Sequence, residues 1–193
     1  AEKIGYCTHG KILVSMHGPG GSEQFLVKAG EIFYIPQCQI HHIENASESE
    51  GIVKFALNNH DPENMLLSLA VDATADGVIQ SNFSTTAEYA SRLKKNASHA
   101  FIGTLGKKSP GAHSSVNRYK FDIERSAKVI SATGGYLQVG LKVNLTELNG
   151  VGILGFGLEP GGAVEPHWHP NSSEIVYITK GRIRGMVLSP DKN

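Results

Sequence analysis

Cysteine is scarce in this chain: Cys7 and Cys38 are the only two among 193 residues. That excludes a disulfide framework and a metal site built on clustered thiolates, and leaves two buried thiols as the simpler reading. Net charge is lacking as well. The 18 lysines and arginines balance 18 aspartates and glutamates, which removes the electrostatic case for nucleic acid as a partner. The basic clusters Arg92–Lys95 and Lys107–Lys108 are short and read as solvated faces. Apolar runs fall well below the roughly 20 residues that a membrane span requires, so no membrane partner is expected. A basic start followed by an apolar core is also missing. No signal peptide is therefore expected from these residues, and the compartment leans to the cytoplasm.

Short strand-like runs and turn residues are abundant, with 22 glycines in all. The stretches KILVSM, EQFLVKAG, EIFYIP and GIVKFAL in the first third are β-branched or aromatic and are separated by Gly, Pro or polar turns. HGPGGSE lies between two of them. It predicts a hairpin connection and not a phosphate loop, because a strand pattern follows it. The middle changes character. PENMLLSLAV, TADGVIQSNF and TTAEYASRLKKN carry helical patterns, the last with a threonine cap and Glu88 in its first turn. GTLGKKSPGAHSSVN reads as loop. Strands return in YLQVGLKVNL and VGILGFGLEPGG. GFGLEPG lacks the glycine spacing and the following helix of a dinucleotide site and is set aside.

An internal repeat is more informative. IGYCTHGKILVSMHGP, from Ile4, lies over IVYITKGRIRGMVLSP, from Ile175, without a gap. The isoleucine, tyrosine, threonine, glycine, second isoleucine and proline coincide, which points to duplicated modules. The same register sets Lys3 against Glu174.

GGAVEPHWHPNSSEIVYITKG, Gly161 to Gly181, carries the chemistry. Residues two apart on a strand share a face, so His167 and His169 are expected to project together with Trp168 packing on the outer side. A turn at Pro170–Ser173 would bring Glu174, at the start of the next strand, back beside them. Two imidazoles and a carboxylate suit Mn, Fe, Ni, Cu or Zn better than Ca or Mg. The bland reading of a His-x-His pair alone is an exposed strand pair. The glutamate at this spacing, bracketed by Gly161 and Gly181, argues for the metal.

This stretch resembles the first motif of the cupin superfamily. GEIFYIPQCQIHHIEN resembles the second through Gly30, Pro36, His41 and Asn45, with Cys38 where that family usually has glycine. The closest likeness is to two-barrel cupins related to oxalate decarboxylase and the germins. The resemblance implies a mainly β fold of jelly-roll (double-stranded β-helix) half-barrels. Residues 1–60 would be the back half of one barrel, 61–118 a helical and loop connector, and 119–193 the front half of another. It implies a divalent metal, Mn first and Fe, Zn, Ni or Cu as alternatives, on His167, His169 and Glu174, with His41 as the second-motif ligand. His41 either joins those three in one site or belongs to a different one; its bland reading is a histidine satisfied by a backbone carbonyl. No cofactor beyond the metal and no catalytic residue is assigned.

His42 points the other way from His41 and reads as surface. His9, His17, His60, His99 and His113 read as solvated. Glu63 falls where related decarboxylases carry a lid glutamate, yet the motif around it is absent and it reads as a helix-start residue. Those relatives also carry an arginine three positions before the first motif histidine, a group suited to bidentate recognition of a carboxylate. Val164 stands there. Two functions follow from the resemblance: a metal-dependent enzyme acting on a small carboxylate or oxygenated metabolite, or a metal- or small-ligand-binding bicupin without turnover. A homo-oligomer is expected in either case.

Overall fold

The structure, a computed structural model, describes residues 1–95, 100–106 and 117–187. His99, Lys107, Lys108, His113 and most of the loop expected over 103–117 lie outside them. The described residues form two compact units, one from residues 2–56 and 117–187 and the other from residues 57–95 and 100–106.

The first unit is built from β1 (Lys3–His9), β2 (Lys11–Gly18), β3 (Gly21–Lys28), β4 (Glu31–Ile35), β5 (Ile40–Asn45), β6 (Ile52–Leu57), β7 (Lys120–Asp122), β8 (Ile130–Ala132), β9 (Gly135–Gly140) and β10 (Ile153–Leu158). They make three sheets, in the orders β6-β1-β4-β7, β3-β2-β5 and β10-β9-β8. The glycine-rich segment after Met16 closes the β2–β3 hairpin, with Gly18 opposite Gly21. β2 also pairs antiparallel with β5, where Met16 faces His41. β1 pairs antiparallel with β4, Lys3 opposite Ile35.

These strands form because alternate residues find a common apolar interior. Ile12, Val14 and Met16 of β2 and Phe25 and Val27 of β3 alternate into one core, which Ile4 and Cys7 of β1 join without alternating. In β4 the whole run Ile32–Ile35 is buried. A strand covered on both faces has no reason to alternate, and its sequence does not. Cys7 is buried as expected, whereas Cys38 is exposed. Cys38 adopts φ 63°, the left-handed conformation that glycine takes without cost. The turn has therefore kept the backbone demand of the family's usual glycine.

In the second unit, α1 (Leu67–Ala73), α2 (Asp76–Phe83) and α3 (Ala87–Lys95) correspond to the three helical patterns. Thr86 caps α3, its hydroxyl accepting the Tyr89 N–H at 3.2 Å. Lys94 reaches Asp76 at 2.9 Å. The first helix starts later than the sequence pattern suggests. Leu66, just before it, is extended, so Glu63 lies outside any helix and the helix-start reading of that residue is corrected.

The larger difference concerns residues 159–187. The pattern predicts strands there, but none is assigned beyond β10 among the described residues. The contrast with the repeat explains this. The N-terminal copy forms β1 and β2, each flanked by neighbouring strands. Its C-terminal counterpart has no ladder partner among the described residues, and an extended segment becomes a strand only when a neighbour takes its backbone hydrogen bonds. Trp168 is consequently 83% exposed and does not pack on an outer face.

Candidate metal centre

His167, His169 and Glu174 come together even without a ladder. Their ligand atoms all lie within 4.8 Å of one another. Two local devices account for this. The extended backbone places the alternate residues His167 and His169 near each other, with ring centroids 5.1 Å apart and planes at 84°. The turn at Pro170–Asn171 then returns the chain so that Glu174 faces both. Glu174 Oε2 is 3.4 Å from His169 Nε2 and 3.9 Å from His167 Nε2. Donors bonded at roughly 2.1 Å to one ion stand about 3.0 Å apart at right angles and about 3.4 Å apart at tetrahedral angles. The Glu174–His169 separation matches the tetrahedral value, and the Glu174–His167 separation is about 0.5 Å longer than it.

The tautomer of His167 supports this. Its Nδ1 lies 2.9 Å from the Glu165 carbonyl oxygen. A carbonyl only accepts, so in the neutral ring Nδ1 carries the proton and the Nε2 lone pair faces the cluster, the arrangement that orients metal-binding imidazoles. Two lone pairs and an anionic oxygen, with no lysine or arginine paired to them among the described residues, fit a divalent ion of the Mn-to-Zn group. The three side chains remain partly exposed, between 34% and 49%.

His41 is not part of this group. It sits on β5 with Nδ1 2.9 Å from the Gln39 carbonyl oxygen. That is the same contact, to the carbonyl two residues back, that His167 makes. Its Nε2 faces the Lys3 ammonium at 3.1 Å. Burial is the main influence on its basicity and pushes it down, with the Lys3 charge adding in the same direction. Burial likewise lowers the Lys3 ammonium. Lys3, paired with Glu174 in the sequence repeat only as a register mark, is the site residue that sequence reasoning passed over. Its signal was the basic side chain at an acidic position. His42 is exposed and contacts Glu44 at 2.9 Å, as a residue pointing away from His41 should. Val164 is exposed.

The Cupin family model matches residues 1–90 and 121–193. The chain belongs to the cupin family. A probable oxalate decarboxylase from Arthroderma benhamiae is 24% identical over 191 residues, covering 94% of this chain and 47% of that protein. A germin-like protein, subfamily 1 member 3, from Arabidopsis thaliana is 45% identical over 53 residues, 26% of this chain and 23% of its own. Among solved structures, Bacillus subtilis oxalate decarboxylase, studied for its Mn(II) centres, superposes with a TM-score of 0.57. That likeness is at 21% identity and covers 75% of this chain and 41% of that one. The cupin jelly-roll expected from the motifs is therefore the fold, and the kinship with oxalate decarboxylases and germins holds. The chain spans about half the length of the longer relative it matches.

Proposed function

We propose that this cupin holds a divalent metal, Mn first, on His167, His169 and Glu174, and acts there on a small carboxylate or oxygenated metabolite. The convergence of those three side chains supports the reading most directly. The similarity to a decarboxylase whose structure was studied for its Mn(II) centres favours Mn over Fe, Zn, Ni or Cu. When bound, the metal supplies a Lewis-acid or redox centre for an oxygen-bearing ligand. The chain's part is to keep the donors aimed. The Glu165 carbonyl holds the His167 proton on Nδ1, and Glu174 adds the negative charge that draws in a cation.

One observation favours a second reading, a metal- or ligand-binding cupin without turnover. Val164 occupies the position where an arginine would grip a substrate carboxylate, and a valine offers no counter-charge. In either case the apolar side chains Ile175, Met186 and Val187 are each above 80% exposed, apolar area that contact with a partner would remove from water. A second copy of this chain is the proposed cover.

Elemental analysis of Mn-reconstituted protein, wild type beside His169→Ala, tests the metal centre. About one Mn per chain in the wild type and little in the variant is expected. Less than about a tenth of an equivalent in the wild type, or equal loading in both, would refute the assignment. Carbon dioxide release and oxygen uptake with oxalate and other small carboxylates then separate an enzyme from a binder.

A further inference from the structure

Lys3 and His41 form a second centre that does not fit a metal. In the repeat Lys3 holds the position of Glu174, so this module places an ammonium where the other places a metal-binding carboxylate. The neighbouring acid does not take over. Glu2 is turned away, accepting hydrogen bonds from the Tyr34 hydroxyl, the Gln37 N–H at 3.0 Å and Asn149 Nδ2 at 3.3 Å. The Gln39 carbonyl fixes the His41 proton on Nδ1, and the lone pair left on Nε2 accepts from Lys3 Nζ at 3.1 Å. That lone pair is the one a metal would need.

We propose that Lys3 replaces the metal in this module, and that the Lys3–His41 pair binds a small monocarboxylate in place of a divalent cation. The charges agree. A divalent ion with one glutamate carries a net single positive charge, and so does Lys3 beside a neutral His41. Lys3 Nζ also lies 5.2 Å from the Phe55 ring centroid, and Phe55 packs edge-on against Phe33 at 5.6 Å. An aromatic face is a weak partner for an ammonium. No carboxylate among the described residues forms an ion pair with Lys3. A half-buried ammonium spending one N–H on His41 keeps two donors for an oxyanion, the groups that a carboxylate's two oxygens accept from.

Histidine-ring and lysine side-chain NMR on the full chain tests this independently of the metal centre. One equivalent of diamagnetic Zn²⁺ should leave the His41 ring signals in place, whatever it does at His167 and His169. Sodium formate, compared with sodium chloride at equal ionic strength, should shift the His41 and Lys3 signals saturably. Lys3→Met should weaken that response at least tenfold and Lys3→Arg should retain most of it. A Zn²⁺-induced shift of the His41 Nε2 signal in the wild type overturns the proposal. So does a formate response that is absent in the wild type or survives Lys3→Met. If Lys3→Met does not fold, the two wild-type titrations still decide. Absence of Zn²⁺ effects at His167 and His169 alone would count against the metal centre and not against this pair.

Discussion

Replacing Tyr34 by phenylalanine removes one hydroxyl from the floor of the first unit, and the consequence can be worked through. Tyr34 is 1% exposed and Glu2 is 7% exposed. The hydroxyl donates to the Glu2 carboxylate, which keeps the Gln37 N–H and Asn149 as further donors. Phenylalanine fills almost the same volume, so the loss is one hydrogen bond to a buried charge, about 2 kcal/mol at pH 7. With a urea dependence of about 2 kcal/mol per molar, the midpoint should fall by about 1 M. Alkaline pH provides a second reading. Burial, with the Glu2 hydrogen bond and charge adding to it, holds the Tyr34 phenol well above its ordinary value of 10.0. Above that value the unfolded tyrosine gives up its proton while the folded one keeps it. The folded state then binds more protons, and stability falls as pH rises. By pH 11 this one tyrosine should cost the wild type about 1.4 kcal/mol relative to neutral pH, a loss the phenylalanine variant escapes. The gap between the two proteins should therefore shrink from about 2 to about 0.6 kcal/mol. Urea titrations followed by far-UV circular dichroism at pH 7 and pH 11 measure it. A gap below about 0.5 kcal/mol at pH 7, or one unchanged at pH 11, would refute the placement of this bond.

Three other outcomes are expected. Glu174→Lys should lower Mn affinity by about 100-fold or more, since removing a ligand and adding a like charge exceeds the loss of a supporting group; isothermal titration beside the wild type checks it. Gly140→Ala should destabilise the first unit by about 1–3 kcal/mol in chemical denaturation, because the new methyl would meet Ile32 Cδ1 at 2.5 Å and Ile153 Cγ2 at 2.7 Å. Thr86→Ala should cost about 1 kcal/mol of α3 stability, read as faster amide exchange near Tyr89 with no change in metal content.

The strands that carry the core were readable because burial writes itself into composition. β2, β3 and β6 show β-branched residues between turn glycines, and β4 shows an unbroken apolar run. β1 and β5 emerged only through the repeat and the second motif. Lys3, Gly5 and Thr8 interrupt β1, and two histidines with a glutamate and an asparagine dilute β5. The start of α1 was misplaced because Pro62 and Glu63 suit a helix start while Leu66 remains extended. The strands expected at residues 163–181 did not form, since periodicity reports which side chains share a face but not whether a neighbouring strand is there to pair with. The His-x-His…Glu constellation survived that loss because its geometry is local, set by alternation and one turn. His41 was legible only as the histidine of the second motif. Its partner was not, because the contact with Lys3 spans 38 positions.

The two centres separate what positions a histidine from what decides its use. His167 and His41 both direct Nδ1 to the carbonyl two residues back, at 2.9 Å in each case, and both present Nε2. That device belongs to the extended backbone and is indifferent to what Nε2 will meet. At His167 the approaching side chain is an anion, which lowers the cost of assembling lone pairs around a cation. At His41 it is an ammonium, which supplies the proton itself and repels any second cation. The residue that meets Nε2 is a glutamate at His167 and a lysine at His41, and under the two proposals above that side chain decides between a metal and a fixed charge.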